Sequence, residues 1–330
     1  MVSGKATPIC LLRVLDEYSD ENHILTMGEI RSKLNTGYGI SPDRRTVYGV
    51  ISLLASIGIE ISTYEENGSG YYLKTRLFEP SEVRLLMDAV YSFPFLPAKH
   101  SEDLITKLQK LMCVHERRSI KHMTVARSDV KTSNRQVFWT IDQLDKAISQ
   151  KLKVSFTYLK YNTHKELVSR RDDKYTVNPC GIMLTNDYYY LVCVKDNKKN
   201  VSMYRIDKMK DLQITNDPMV LCEQGIDPKE STMRAVYAYS GEPELITLRC
   251  RRNLLDHVID KHGTDIQIME LDSESLEISF TAAPKGVKFW ALQYLPNLEI
   301  ISPQWLRDEI IDCIKSNPYL ETEREGVIDA

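Results

Sequence analysis

The chain has 330 residues, of which 42% are hydrophobic and 27% charged, and its formal net charge is −3. This is ordinary globular composition, and the length favours two or three domains. No stretch approaches the roughly 18 consecutive apolar residues of a membrane helix, and no basic-then-apolar leader opens the chain. The seven cysteines are scattered without a C-x-x-C pair. A reduced, cytoplasmic protein with free thiols is therefore expected.

Thr7-Pro8 opens a first helix with Ile9, Leu12 and Leu15 at helical spacing. Thr26 and Glu29 form a capping box, which predicts a short helix ending by Asn35, with Gly37-Tyr38-Gly39 as a turn. Ser41-Pro42 reads as an N-cap followed by Pro at the first helical position. Val47, Val50, Ile51, Leu54 and Ile57 then make one stripe, and Gly58 stops the helix. Residues 59–63 and 71–74 are strand-like, and Asn67-Gly68 between them is a hairpin signal. Three helices and a hairpin outline a winged helix-turn-helix over residues 1–76.

Ser41-Pro42-Asp43-Arg44-Arg45-Thr46-Val47-Tyr48, followed by Leu54 and Gly58-Ile59, resembles the recognition helix of DeoR-type regulators. The resemblance implies duplex DNA binding, with Arg44, Arg45, Thr46 and Tyr48 as contact residues, since all four lie off the apolar stripe. Arginine at the start of such a helix is the commonest reader of guanine. Gly49 and Val50 depart from the family pattern, which has Arg and Asp there. Residues 1–76 carry eight Lys/Arg against nine Asp/Glu, and Glu65 and Glu66 in the wing would repel phosphate. A reader this close to neutral is expected to need a homodimer to hold its operator.

Residues 77–150 read as a helical linker. Helices are predicted over residues 81–93, over 102–112 with Ser101 as cap, and over 137–150 with Phe138, Ile141, Leu144 and Ile148 apolar. Between them residues 113–136 carry six Lys/Arg against two Asp/Glu, a basic connector. Cys113, His115 and His122 match no standard zinc spacing, so neither a metal site nor a cofactor is expected.

Residues 151–214 carry thirteen Lys/Arg against seven Asp/Glu, whereas residues 215–330 carry eleven against twenty-one. A basic middle and an acidic tail suggest an anionic ligand in the middle, or an attraction between the two. Asn178-Pro179 leads into a strand that Asn186-Asp187 turns into the run 188–194, and after a polar turn residues 201–206 form another strand. Alternation puts Tyr189, Leu191 and Cys193 on one face and Tyr190 on the other; Tyr204 and Ile206 share a face, with Arg205 opposite. Tyr189-Tyr190-Leu191, then Tyr204-Arg205-Ile206-Asp207-Lys208-Met209, resemble the WYL domain, and Phe156-Thr157-Tyr158 and Asn178-Pro179 fit its first strands. Tyr189 stands where the family has Trp, and Lys208 where it has a second Arg. The resemblance implies an Sm-like or SH3-like small β-barrel that senses nucleic acid or a nucleotide. Tyr190, Arg205 and Lys208, helped by Arg170 or Arg171, are the candidate ligand residues. The competing reading is that Arg205 simply pairs with Asp207 or with an acid of the C-terminal unit.

Beyond a loop over 218–227 and a helix over 231–239, the order is βαββαβα through residue 314. Trp290-Ala291-Leu292, then Pro303-Gln304-Trp305-Leu306-Arg307, resemble the WCX extension of WYL proteins, which implies a ferredoxin-like α+β unit at 215–330 with its core at 236–320. The chain thus reads as α+β and multidomain. No H-x-x-x-H pair, G-x-S-x-G or Walker loop occurs, so no enzyme is expected. The expected function is a bacterial-type, ligand-responsive transcriptional regulator: duplex operator DNA at one end and a single-stranded nucleic acid or nucleotide effector in the middle. The alternative is a nucleic-acid-binding accessory protein of a defence or CRISPR-type system that regulates no promoter.

Overall fold

The structure, a computed structural model, describes residues 4–119, 131–196, 201–220 and 243–320. Two compact units divide the chain, Met1–Arg135 and Gln136–Ala330.

The first unit begins with α1 (Thr7–Tyr18), α2 (Met27–Tyr38) and α3 (Arg44–Ser56). Leu11, Leu15, Ile30, Leu34, Val47 and Leu54 meet in their shared core. The Thr26/Glu29 capping box starts α2, with the Glu29 carboxylate accepting from Thr26 N–H at 2.8 Å. The helix runs three residues past the predicted stop, because Gly39 at φ +68° supplies the left-handed cap and Gly37 stays helical. The next helix is capped by Asp43 rather than Ser41: its carboxylate accepts from Thr46 N–H at 2.7 Å, while Ser41 Oγ bonds Asn35 Oδ1. The predicted stripe is buried as far as Leu54, but Ile57 is exposed at the helix end.

Strands β1 (Ile61–Ser62) and β2 (Tyr72–Leu73) pair antiparallel, and Leu25 bridges to Tyr71 beside them. Asn67-Gly68 does not form a two-residue hairpin. It closes a one-turn helix, α4 (Tyr64–Asn67), with Gly68 at φ +68° as its cap. Asn67 Oδ1 accepts from Ser69 N–H and Gly70 N–H, so the same chemistry ends a helix instead of joining strands.

Helices α5 (Pro80–Ser92), α6 (Ala98–Gln109) and α7 (Val114–Ser119) complete the unit. Ser101 lies buried inside α6 rather than capping it; its hydroxyl donates to Pro97 O and accepts from Lys131 Nζ at 2.9 Å.

The second unit opens with α8 (Val137–Gln150), which packs on a curled, half-barrel sheet. It buries Val137, Thr140, Leu144 and Ala147, and Phe138 is exposed, so the packed face is turned about one residue from the predicted one. The sheet contains β3 (Leu152–Tyr161), β4 (Leu167–Ser169), β5 (Tyr175–Thr185), β6 (Tyr188–Val194), β7 (Val201–Arg205) and β8 (Met209–Pro218). The order is β4-β3-β5-β6-β7, and β8, which hydropathy had not revealed, pairs back onto β3. Asn186 and Asp187 both have positive φ and make the expected tight turn.

Asn178-Pro179 sits inside β5, next to a bulge, and opens nothing. Asn178 is buried; its amide donates to Val194 O and Asp196 Oδ1, and its carbonyl oxygen accepts from Val220 N–H.

The last part of the chain forms an antiparallel four-stranded sheet, β9 (Glu244–Arg251), β10 (Gln267–Glu270), β11 (Ser275–Ala282) and β12 (Leu298–Ser302), in the order β10-β11-β9-β12. Helices α9 (Leu255–His262), α10 (Pro284–Leu292) and α11 (Gln304–Lys315) accompany it. Trp290 and Leu306 of the expected motif are buried in its core, and Arg307 donates to Ile300 O at 2.6 Å. The helix predicted over 231–239 lies outside the described residues.

Candidate nucleic-acid interface

The antiparallel register of β6 and β7 sets Tyr190 directly across from Arg205, and Leu191 across from Tyr204. Leu191, Tyr204 and Ile206 are buried, as the alternation predicts, which turns Tyr190 and Arg205 together to the opposite face. A 3-10 turn, Ile206–Lys208, then carries Lys208 past the strand end.

Arg205 does not stand alone there. Its Nε and Nη2 form a fork on the Asp207 carboxylate at 3.0 and 2.8 Å, and its guanidinium lies 3.4 Å from the Tyr188 ring centroid. Its backbone N–H donates to the Tyr158 hydroxyl at 3.2 Å. The competing sequence reading, an Arg205–Asp207 pair, is therefore present; no acid of the C-terminal sheet takes part among the described ion pairs. Burial alone would weaken the Arg205 cation, but the Asp207 fork outweighs it and raises its pKa.

Lys208 is shifted down, first by burial and then by the positive charge of Arg205 and, more weakly, Arg170. Its ammonium sits 5.6 Å from the Tyr161 ring centroid. Burial raises the Tyr190 hydroxyl, with Arg205 opposing it. Lys208 thus feels two other cations and one carboxylate, and an incoming anion would relieve the crowding there.

Arg171 belongs elsewhere. Its guanidinium stacks 3.6 Å from the Tyr175 centroid and donates to Asp173 O and Lys174 O. Lys195 also approaches Tyr175 and Tyr204, at 5.6 and 5.7 Å. Of the five candidates, the fold sets Tyr190 within the field of Arg205, and Lys208 within the field of Arg205 and Arg170, while Arg171 stacks on a neighbouring aromatic group. Sequence reasoning missed Tyr188 and Tyr158 as partners of Arg205. The alternation that set Tyr190 on the opposite face puts Tyr188 there too, and that was the available signal.

In the first unit, Arg44, Arg45, Thr46 and Tyr48 are all exposed on the first turns of α3. Arg44 and Tyr48 line a cleft of about 590 Å³ together with Thr26, Gly28, Thr63 and Glu65. Tyr48 meets Tyr71 at 6.4 Å between ring centroids, and burial, helped by the Tyr48 hydrogen bond, pushes the Tyr71 hydroxyl up to about 12. Glu66 is held by Lys74 at 2.7 Å, so of the two wing acids Glu65 is the one that faces the cleft.

The family model described as the WYL domain matches residues 140–214. The chain carries a WYL domain. The match begins inside α8 and ends within β8, so the WYL domain takes in the helix that packs on the sheet and every candidate ligand residue.

No curated protein matches the chain. Among solved structures it is similar to proteasome accessory factor B/C (PafBC) of Arthrobacter aurescens, at 14% identity and a TM-score of 0.28 over 94% of this chain and 46% of that one. The chain thus spans just under half the length of that protein. It is also similar to a CRISPR Cas-related protein, at 13% identity and a TM-score of 0.38 over 99% of this chain and 88% of that one. No described helix is long and apolar enough to cross a membrane.

Proposed function

We propose that the protein is a non-enzymatic, ligand-responsive transcriptional regulator of the cytoplasm that acts as a homodimer. In this reading α1 to α3 with β1 and β2 are a winged helix-turn-helix that binds duplex DNA through Arg44, Arg45, Thr46 and Tyr48. The WYL domain is the sensor, and the C-terminal sheet, with its ferredoxin-like strand order, is a WCX-type extension. The observation that carries the proposal is the Tyr190–Arg205 cross-strand pair with Lys208 in the field of Arg205 and, more weakly, of Arg170. A stacking ring next to crowded cations suits a base joined to a phosphate. The effector class is therefore a single-stranded nucleic acid or a nucleotide.

The test is fluorescence anisotropy of a short single-stranded oligonucleotide at fixed salt. Tyr190→Ala and Lys208→Ala should each weaken binding about tenfold, within the roughly 1–3 kcal/mol that a stacked base contributes. Their melting temperatures should stay near the parent's. Unchanged anisotropy in both variants overturns the sensor assignment.

A second reading, an accessory protein of a defence system without a promoter, is favoured by one observation: Glu65 faces the same cleft as Arg44. A carboxylate there weakens phosphate contacts, which supply much of the affinity for duplex DNA. Protection of a single duplex site supports the regulator; single-strand binding with no duplex footprint supports the accessory protein.

A further inference from the structure

The loop after α1 and the start of α7 bring Asp20 to Cys113 and Glu116, 93 and 96 residues further along the chain. One ligand atom from each of Asp20, Cys113 and Glu116 lies within 4.8 Å of the other two. Cys113 is fully buried and Asp20 nearly so, at 8% exposure.

The Asp20 carboxylate is held in place. Its Oδ1 accepts from the backbone N–H groups of Asn22 and His23, both at 2.8 Å, and His23 Nδ1 lies 2.9 Å from each carboxylate oxygen. That leaves Oδ2 facing the Cys113 thiol, which donates to it at 3.0 Å. Glu116 is tied back by the Cys113 N–H, which donates to its Oε2 at 2.7 Å. The His23 and His115 rings stack beside the cluster at 3.7 Å, and a cavity of about 470 Å³ lined by Asp20, His23, His115 and Glu116 opens onto it.

We propose that Asp20, Cys113 and Glu116 bind a divalent transition metal of borderline softness, such as zinc, with water from the adjoining cavity in the fourth position. A sulfur ligand selects against magnesium and calcium, and the two carboxylates select against copper(I). Zinc bonds of about 2.3 Å to sulfur and 2.0–2.2 Å to oxygen put tetrahedral ligands roughly 3.3–3.8 Å apart, so the 3.0 Å Asp20–Cys113 contact opens by about half an ångström, while the widest separation, within 4.8 Å, closes by at most about 1 Å. The thiol proton now shared with Asp20 leaves to solvent as the metal–sulfur bond forms. His23 is a positioning residue that fixes the carboxylate, as the outer hydrogen-bond partner of a ligand does. The spacing of Cys113, His115 and His122 along the chain does not carry this arrangement. His122 lies outside the described residues, and the other two ligands come from residue 116 and from across the fold. The metal would pin α7 to the loop that follows α1.

The test uses the full chain, stripped with a chelator and kept reduced. Cobalt(II) is titrated while the near-ultraviolet thiolate-to-cobalt charge-transfer band is followed, and zinc is then added in competition. One thiolate band per chain is expected, displaced by zinc, absent in Cys113→Ser, and accompanied by a rise in the melting temperature of the parent. Glu116→Gln keeps an acceptor for the Cys113 N–H, so it preserves the fold, and it should weaken cobalt binding by about tenfold or more. No band, a band that survives in Cys113→Ser, or unchanged affinity in Glu116→Gln overturns the site and leaves the cluster as a hydrogen-bonded tie.

Discussion

Replacing Arg205 by Ala tests what the Asp207 fork does for the WYL domain. The Asp207 side chain is 5% exposed and that of Arg205 24%, so the change takes the guanidinium fork away from a buried carboxylate. Removing one partner of a fully buried pair costs about 3–5 kcal/mol. The partial exposure of Arg205 reduces this, and loss of its stack on Tyr188 adds about 0.5–1 kcal/mol, so about 2–4 kcal/mol is expected. For a unit of this size each kcal/mol lowers the melting temperature by about 2–4 °C, which gives a drop of roughly 5–15 °C. Adding Asp207→Asn removes the charge that the fork balanced and should recover about 2 kcal/mol of the loss. A thermal-melt double-mutant cycle reads this coupling directly. A drop below about 2 °C in Arg205→Ala, or strict additivity in the double variant, refutes the reasoning. The same geometry makes Arg205→Ala a poor reporter of ligand binding, and that is why Tyr190 and Lys208 carry that test.

Three other outcomes follow from named contacts. Each of Arg44→Ala and Arg45→Ala should cost about 1–3 kcal/mol of duplex binding if it reads a base, or lower the salt slope by about 1 if it holds a phosphate, as binding isotherms at several salt concentrations will distinguish. A parent-like double variant would remove α3 as the reader. Gly70→Ala should destabilise the first unit by about 1–3 kcal/mol in a denaturant melt, because a Cβ there runs into the Leu25 carbonyl beside the Leu25–Tyr71 bridge; parent-like stability would contradict that packing. His262, stacked on Phe280 with its Nε2 buried and unbonded, is pushed down to about 4 by burial. A depressed histidine favours the folded state above its unfolded pKa, so stability should fall as pH drops from about 6.5 to about 4, by on the order of 3 kcal/mol. His262→Phe should abolish that slope in melts across pH, and an unchanged slope would place it elsewhere.

Period and capping chemistry made most elements legible. Thr26 with Glu29, Gly58 and the turn Asn186-Asp187 mark ends through local backbone needs, so a single sequence suffices to find them. Failures came where two local solutions compete. Asp43 outdid Ser41 as a cap, and Asn67-Gly68 closed a helical turn instead of a hairpin. The strand Met209–Pro218 was missed because few of its residues are buried. At the site, alternation placed Tyr190 and Arg205 on a shared face, since the pleat alone decides it. The fork from Arg205 to Asp207, two residues along, was legible only as one of two alternatives, because a 3-10 turn and not the strand sets its direction. The Asp20–Cys113 contact spans 93 positions, and no spacing rule reaches that far.

The pairing of β3 with β8 has a kinetic consequence. Leu152 partners Pro218 and Val154 partners Ile214, so the first long strand of the WYL sheet waits for its last. Closing that span costs loop entropy before any ladder bond repays it, which makes this the slow step of sheet assembly. During synthesis β3 can zip onto β5 early, through Val154 and Val177, but its other edge stays open until the segment after Lys208 has emerged. A chain cut before Met209 would carry that open edge permanently, and unpaired strand edges template aggregation. Truncations meant to isolate the sensor therefore need to end beyond Val220, where the last anchoring bond to Asn178 is made.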